Sequence, residues 1–400
     1  MPSIELPIGK KLKILSLGAE SVGRFCFYNN GEIFISRDFG DILDINNFDK
    51  YKKAVLRYIK SHEPGLILTD MHPLYHSTVL GEELSGKLKV PQIKIQHHFS
   101  HIFSAIGDRI MLDAEYSIPD SFFGIAMDGT GYGLDGNIWG GEVFKCQMSN
   151  VKCQMLRIER IGSLEEQILI GGDLAVKEPA RMILAILAKI PNDKFQISNK
   201  SQMTNSKYQK DFVYKYVKKY YSRNEFEALY SQLEQNFNCQ TTTSAGRILD
   251  AVSVLLGFAD NKRDFKHEAA KMLEKNSSIP YDNTESRIMN QESRKILNTT
   301  YLFEYLLKNI RRDKKRLAAT AQLYLAKGLY GIIKEAKLPI GSLASNTKRA
   351  SSAFFAAGGM ANNMIISSYL KKRGVYLSKK IPRGDEGLAF GQIIYYLLMQ

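Results

Sequence analysis

Cysteine is scarce in this chain: four residues in 400, at Cys26, Cys146, Cys153 and Cys239, with no CxxC pair among them. That scatter excludes a zinc ribbon and argues against a disulfide scaffold at this length. Long apolar runs are missing too. The longest, such as Ala251–Ala259, reach about half the ~18–20 residues that a membrane span needs. The N-terminus lacks the basic-then-apolar order of a secretory leader. There is no tandem repeat and no low-complexity tract, and neither Gly171-Gly172 nor Gly358-Gly359 forms a P-loop or a GxGxxG. A Gly-x-Ser-x-Gly elbow is absent and no cysteine has a histidine near it in sequence, which sets serine and cysteine hydrolases aside. These absences predict a soluble, cytoplasmic protein in a reducing compartment, with no membrane contact.

What is present is ordinary globular material, 44% apolar and 24% charged, long enough for two to four units at roughly 100–200 residues each. Fifty-five Lys+Arg against 41 Asp+Glu leave a net charge of +14. Such a surplus suits an anionic partner (nucleic acid, a nucleotide or an acidic protein) or simply a lysine-rich surface. The densest basic stretches, Lys207–Lys219 and Lys308–Arg316, read equally as solvated helix faces.

Two stretches a hundred residues apart share a pattern. Leu12–Leu17, Phe25–Tyr28 and Glu32–Ser36 read as strands, the last two joined by Asn29-Asn30-Gly31, a strong hairpin signal. Phe122–Met127 is again an apolar strand, ending in Asp128-Gly129-Thr130-Gly131, followed by Asp135-Gly136-Asn137 and strands at Ile138–Trp139 and Val143–Phe144. Between them lie a helix over Lys50–His62, a buried strand at Leu66–Thr69 and a strand running into Gln96. Helical periodicity dominates from about Leu164 to Glu335, as in Arg247–Ala259, where Ser244 can cap. The polar stretches Asn192–Lys210 and Asn276–Arg294 read as loops; a strand at Ala353–Ala357 and a helix from about Ala361 follow.

Histidine distribution carries the chemistry. Six of the seven histidines lie between His62 and His101, and His97 and His101 are spaced i,i+4. On a helix such a pair stacks roughly 5–6 Å apart on one face, a spacing that suits two ligands of one metal ion or a plain polar patch. Further donors would be Asp128 and Asp385, each in a glycine-bracketed turn, where an aspartate also serves as a turn or cap residue. Two imidazoles and two carboxylates suit Fe(II), Zn(II) or Mn(II) alike. Glycine turns supply the second theme: Gly171-Gly172-Asp173 ahead of Lys177-Glu178-Pro179, and Gly358-Gly359 ahead of Asn362-Asn363. Backbone amides at such junctions cradle phosphate or lie under an adenine, although many strand–helix turns need glycine regardless. Gly246 and Asp250, one helical turn apart, are placed to meet a ribose or to serve as cap and surface charge.

Taken in order, these motifs resemble the carbamoyltransferase region of the HypF-type hydrogenase maturation proteins. The resemblance runs through Asp70-Met-His72-Pro73-Leu-Tyr75-His-Ser77-Thr78, Gln96-His97-His98-Phe-Ser-His101-Ile, and Met127-Asp128-Gly129-Thr-Gly131-Tyr132-Gly133 to Trp139-Gly140-Gly141-Glu142. It continues through Gly171-Gly172-Asp173, Glu178-Pro179, Ser244-x-Gly246-Arg247-x-x-Asp250-Ala-Val, Gly358-Gly359 with Asn363, and Asp385-x-Gly387-Leu-Ala-x-Gly391-Gln392. It is weakest over Asn192–Cys239 and Lys275–Arg316.

The resemblance implies an α/β, two-lobed actin/sugar-kinase-like fold, a duplicated RNase H-like unit. One lobe would span 1–118 and the second 119–385, with a helical insertion over about 164–345 and a C-terminal helix, 386–400, packed back on the first lobe. It implies a divalent metal, iron or zinc, on His97, His101, Asp128 and Asp385. A nucleotide (ATP, AMP or carbamoyl-adenylate) would lie over Gly129, Gly171, Gly172, Lys177, Gly246, Asp250, Gly358, Gly359 and Asn363. The implied reaction moves a carbamoyl group from the adenylate to the C-terminal cysteine of a maturation partner, releasing AMP, with His98 taking the thiol proton or orienting the acyl group. The related threonylcarbamoyl-tRNA transferases make tRNA an alternative acceptor, and a non-catalytic nucleotide- and metal-binding platform is a further alternative.

The sequence also departs from the family pattern. The upstream acylphosphatase, zinc-finger and adenylate-forming segments have no counterpart in these residues, so a separate adenylate-forming protein is an expected partner. Ser21-Val22-Gly23-Arg24 lacks the usual Lys, Asn and Thr, and Phe265-Lys266-His267 replaces the usual Tyr-Glu-Gly. Lys177 stands for an arginine, whose bidentate fork it cannot reproduce, and Phe99 for a histidine.

Overall fold

The computed structural model describes residues 4–148, 156–191, 205–281, 284–336 and 354–399. It contains two sheets built on one plan. In the first, β1 (Ile4–Glu5), β2 (Lys13–Ser16), β3 (Cys26–Asn29), β4 (Glu32–Ile35), β5 (Leu66–Asp70) and β6 (Gln92–Ile95) take the order β1-β4-β3-β2-β5-β6. β2, β3 and β4 pair antiparallel, while β5 and β6 join parallel to β2. The second sheet repeats this around β7 (Ser121–Tyr132), β8 (Ile138–Met148) and β9 (Leu156–Leu164), with β14 (Phe354–Ala357) and β15 (Tyr376–Leu377) parallel on the other side of β7. The duplicated α/β unit expected from the resemblance is thus present. Asn30 and Gly31 both have positive φ, 50° and 106°, and join Asn29 to its partner Glu32, the two-residue turn that Asn-Gly favours.

The sheets stack between helical layers. Helices Ile45–Ile59 and His76–Leu88 cover the outer face of the first sheet through Leu15, Phe27, Tyr51, Val55 and Leu80. Helices His97–Leu112 and Leu388–Met399 lie between the sheets, where Ile102, Phe103, Phe390 and Ile393 meet Ile14 and Leu68 of one sheet and Phe122 and Phe355 of the other. The two helices cross closely. A side chain at Gly391 would sit 1.8 Å from the carbonyl oxygen of Ser100, so the crossing requires a bare backbone. The far face of the second sheet carries helices Ala180–Ala188, Ala245–Leu256 and Lys314–Glu335 around the largest apolar cluster. No described helix is long and apolar enough to cross a membrane.

Several elements differ from the sequence expectations. The first helix starts at Ile45 rather than Lys50 because the Asp44 side chain accepts from the amides of Asn46 and Asn47. The segment where helical periodicity dominates also contains β10 (Gln167–Ile170) and β11 (Cys239–Thr242), an antiparallel pair, with β11 also parallel to β8. Part of the expected loop 276–294 is β12 (Ile288–Gln291), which pairs with β13 (Arg294–Leu297); β13 in turn extends the second sheet from β9. Each of these strands is only four residues long, too short for alternation to stand out from the helical pattern around it. Helix Asn205–Val217 begins within the expected loop 192–210, whose first thirteen residues lie outside the described set, as do Cys153, Ala353 and the expected end of the insertion near 345.

Candidate metal and nucleotide site

The site forms where the two units face each other. Gln96 caps the central helix by accepting from the Phe99 amide, so His97 and His101 occupy its first turns, fully buried, with side chains projecting toward the second unit. Asp128 does not end its strand, as its glycine-rich surroundings suggested. β7 continues to Tyr132, but its register against β8 shifts between Met127 and Gly131, and this bulge turns Asp128 toward the histidines. Asp385 opens a short 3₁₀ turn ahead of the last helix.

These four side chains converge. Asp128 Oδ2 lies 3.4 Å from His97 Nε2 and 3.6 Å from His101 Nε2. Asp385 Oδ1 lies 4.0 and 3.5 Å from the same atoms. One ligand atom from each residue falls within 4.8 Å of every other. Both Nε2 atoms are buried without a hydrogen-bond partner. Donors bonded to one cation at about 2.0–2.2 Å are necessarily a few ångströms apart, so orphaned nitrogens facing carboxylate oxygens at this spacing fit a shared ion.

Surrounding contacts fix each ligand. Asp70, fully buried at the end of β5, accepts from His97 Nδ1 through Oδ2 at 2.8 Å and from the His72 amide through Oδ1 at 2.9 Å. A carboxylate on the far nitrogen is the usual means of orienting a metal-binding imidazole. Asp128 Oδ1 accepts from the Gly359 amide at 3.0 Å. Asp385 Oδ2 takes Lys266 Nζ at 2.9 Å and the Ser21 hydroxyl. Burial opposes charging the imidazoles, but Asp70, Asp128 and Asp385 outweigh it at His97, and Asp128 and Asp385 at His101; both are held above the usual histidine range. Burial would raise the two aspartates, yet the histidines pull Asp128, and Lys266 pulls Asp385, well below the carboxylate range.

The cluster borders a groove of about 660 Å³. Of the residues expected to bind nucleotide, Gly129 and Lys177 line it. Gly359 and Asn363 border a smaller cavity of about 250 Å³ on the other side of Asp385 and Lys266. Asn363 is occupied: it caps helix Met364–Lys371 and donates to Gln322 Oε1 at 2.5 Å. Gly358, at φ 99°, is dictated by packing, since a Cβ there would sit 2.2 Å from the carbonyl oxygen of Met127. Gly246 abuts Gly129, where a Cβ would meet its Cα at 2.8 Å. Asp250 is buried, holding Arg247, Arg263 and the Ala270 amide, so it positions two groove-lining arginines instead of lining the groove itself. Gly171 and Gly172, both at positive φ, turn the chain into the short helix Asp173–Lys177. His98 is fully buried behind Gly131, its Nδ1 against Gln96 Nε2, and does not reach the groove lining. Burial and the neighbouring His97 and His101 push it well below the ordinary histidine value.

Asp70, Ser21, Lys266 and Arg247 received no role from sequence, although Asp70 opens a motif quoted above and Lys266 marks a departure. A larger, more open cavity of about 870 Å³ shares Lys177 and Arg263 with the groove but contains none of the four convergent side chains.

Comparison with known proteins gives a consistent result. The family profile described as "Carbamoyltransferase, Kae1-like Domain, second subdomain" matches residues 124–392, and the "HypF Kae1-like domain" profile matches residues 9–108. The "Probable carbamoyltransferase HypF" of Methanocaldococcus jannaschii is 34% identical over 99% of this chain and 48% of its own length. A "Carbamoyltransferase HypF homolog" of Cupriavidus necator is 27% identical over 97% of this chain and 92% of its own. The crystal structure of T. kodakarensis HypF superposes with a TM-score of 0.78 at 26% identity, covering 99% of this chain and 48% of that one. Full-length HypF in its phosphate- and nucleotide-bound form gives 0.81 at 24% identity, covering 99% and 47%. The chain thus spans about half the length of the first of these relatives and of both solved structures.

Proposed function

The chain belongs to the HypF carbamoyltransferase family through its Kae1-like region, and from that premise we propose that the groove transfers a carbamoyl group from carbamoyl-adenylate to the C-terminal cysteine thiol of a hydrogenase-maturation partner. The observation that carries this reading is the convergence of His97, His101, Asp128 and Asp385, all but His101 lining the groove, with both imidazole Nε2 atoms buried and unpaired. In the transfer, the thiolate sulfur bonds to the carbamoyl carbon, the bond from that carbon to the phosphate oxygen breaks, and AMP leaves with the electron pair. The thiol proton passes to solvent or buffer.

A carbamoyl carbonyl is a poor electrophile because its nitrogen donates into it. His97, His101, Asp128 and Asp385 would hold a divalent cation such as iron or zinc, which would supply Lewis acidity for carbonyl activation. The remaining contributions come from the chain. Asp70 keeps the His97 proton on Nδ1, leaving Nε2 free as a ligand. Ser21 and Lys266 hold one oxygen of Asp385 and leave the other facing the histidines. His72, stacked on Tyr75 with ring centroids 4.1 Å apart, and Tyr132, 5.1 Å from His72, form an aromatic wall of the groove against which a planar group can lie.

The test uses purified protein, synthetic carbamoyl-adenylate and a cysteine-terminated acceptor peptide. AMP release together with a carbamoyl adduct on the peptide is expected; loss of both from a metal-loaded sample would remove the reading.

A further inference from the structure

One set of buried nitrogens near the groove has no partner and no part in the metal cluster. Arg247 lies in the first turn of helix Ala245–Leu256, lines the groove, and has a side chain only 4% exposed. Its Nη2 pairs with Asp250 at 3.0 Å, yet its Nε and Nη1 are buried with no hydrogen-bond partner. Buried guanidinium donors left empty are costly, and each calls for a partner, an ordered water or a ligand group. Across Gly129, the Nδ1 of His267 is likewise buried and unpartnered. A Cβ built on Gly129 would lie 3.3 Å from Arg247 Nη2 and 3.9 Å from His267 Nδ1, so the two side chains face each other over a bare backbone, one residue from Asp128.

The backbone at His267 strengthens the case. Its φ is +63°, a conformation that disfavours any side chain. Such strain is kept where the surroundings over-determine it, most often at binding sites. Here it brings an imidazole to the position opposite Arg247.

We infer that Arg247 and His267, closing over Gly129, form a cradle for the phosphoryl group of a nucleoside monophosphate, free or acylated. The unpaired Nε–H and Nη1–H lie on different edges of the guanidinium, and each is left to meet one phosphoryl oxygen. The imidazole caps a third, and glycine lets the phosphorus approach the chain beside the carboxylate cluster. Lys177, on the exposed rim, then contributes a hydrated charge instead of the main contact. This assignment deepens the transfer reading and rests on it for the identity of the nucleotide.

The experiment is calorimetric titration of the metal-loaded chain with AMP, adenosine and inorganic phosphate. Wild type is expected to bind AMP more tightly than adenosine and to bind inorganic phosphate in competition with AMP. Arg247→Leu is expected to weaken AMP roughly ten- to hundredfold while leaving adenosine unchanged. His267→Gly should weaken AMP severalfold and, by relieving the left-handed backbone, melt no lower than wild type. Should Arg247→Leu fail to fold, His267→Gly decides, and AMP binding within twofold of wild type in that variant overturns the cradle. Equal affinity of wild type for AMP and adenosine overturns it as well. A wild type that selects AMP through these residues but transfers no carbamoyl group upholds the cradle and removes only the transfer reading.

Discussion

The sharpest test of the site lies one shell behind it, at Asp70. Both groups that approach its carboxylate are donors: the His72 amide on Oδ1 at 2.9 Å and His97 Nδ1 on Oδ2 at 2.8 Å. Asp70→Asn keeps the size but offers one acceptor and one NH2. The backbone amide of His72 cannot become an acceptor, so the asparagine oxygen must stay with it and the NH2 must face His97. That forces His97 to accept at Nδ1 and carry its proton on Nε2, the atom that faces Asp128 and Asp385. An imidazole nitrogen bearing a proton has no lone pair for a metal, and restoring the other tautomer sets two buried donors against each other. Loss of such an orienting carboxylate typically weakens a metal by 10- to 100-fold, which corresponds to about 1.4–2.8 kcal/mol. Competition against a chromogenic chelator measures the affinity, and long-range ¹H–¹⁵N spectra of the metal-free variant identify the tautomer. Wild-type affinity with Nε2 still deprotonated would refute the reasoning; a folded variant with weakened metal and a switched tautomer supports it.

The legibility of this chain was uneven for physical reasons. Asn29-Asn30-Gly31 and the apolar strands on either side declared the first hairpin because local turn chemistry acts within a few residues. The four convergent side chains could be named because an i,i+4 histidine pair and two aspartates in glycine turns are local patterns, and the family resemblance supplied the grouping. Their support could not be read. Asp70 sits 27 residues from His97 and Lys266 119 residues from Asp385, and nothing local couples such positions. Asp128 shows the limit most plainly. Its glycines suggested a strand end, whereas pairing with β8 resumes at Gly131 and converts the same residues into a bulge. Asp250 and Asn363 had the composition of ligand contacts, but tertiary partners absorb both.

Three further outcomes follow from the same geometry. His97→Ala and His101→Ala are expected to abolish bound metal, with Asp385→Ala close behind; wild-type metal content by elemental analysis in these variants would refute the shared site. Gly391→Ala forces a methyl group against the carbonyl of Ser100 and should destabilise the fold by about 1–3 kcal/mol; an unchanged urea midpoint would show that the central helices separate freely. The last concerns pH. In the metal-free fold the carboxylates raise His97 and His101 above the unfolded value of 6.5. The stabilisation this provides is complete below that value and is lost as pH rises through the raised pKa values. A metal must displace those same protons, so its affinity climbs over the same range and levels off above it. Melting temperatures with chelator and with metal should therefore diverge as pH increases, and parallel curves would mean that these imidazoles do not hold the ion.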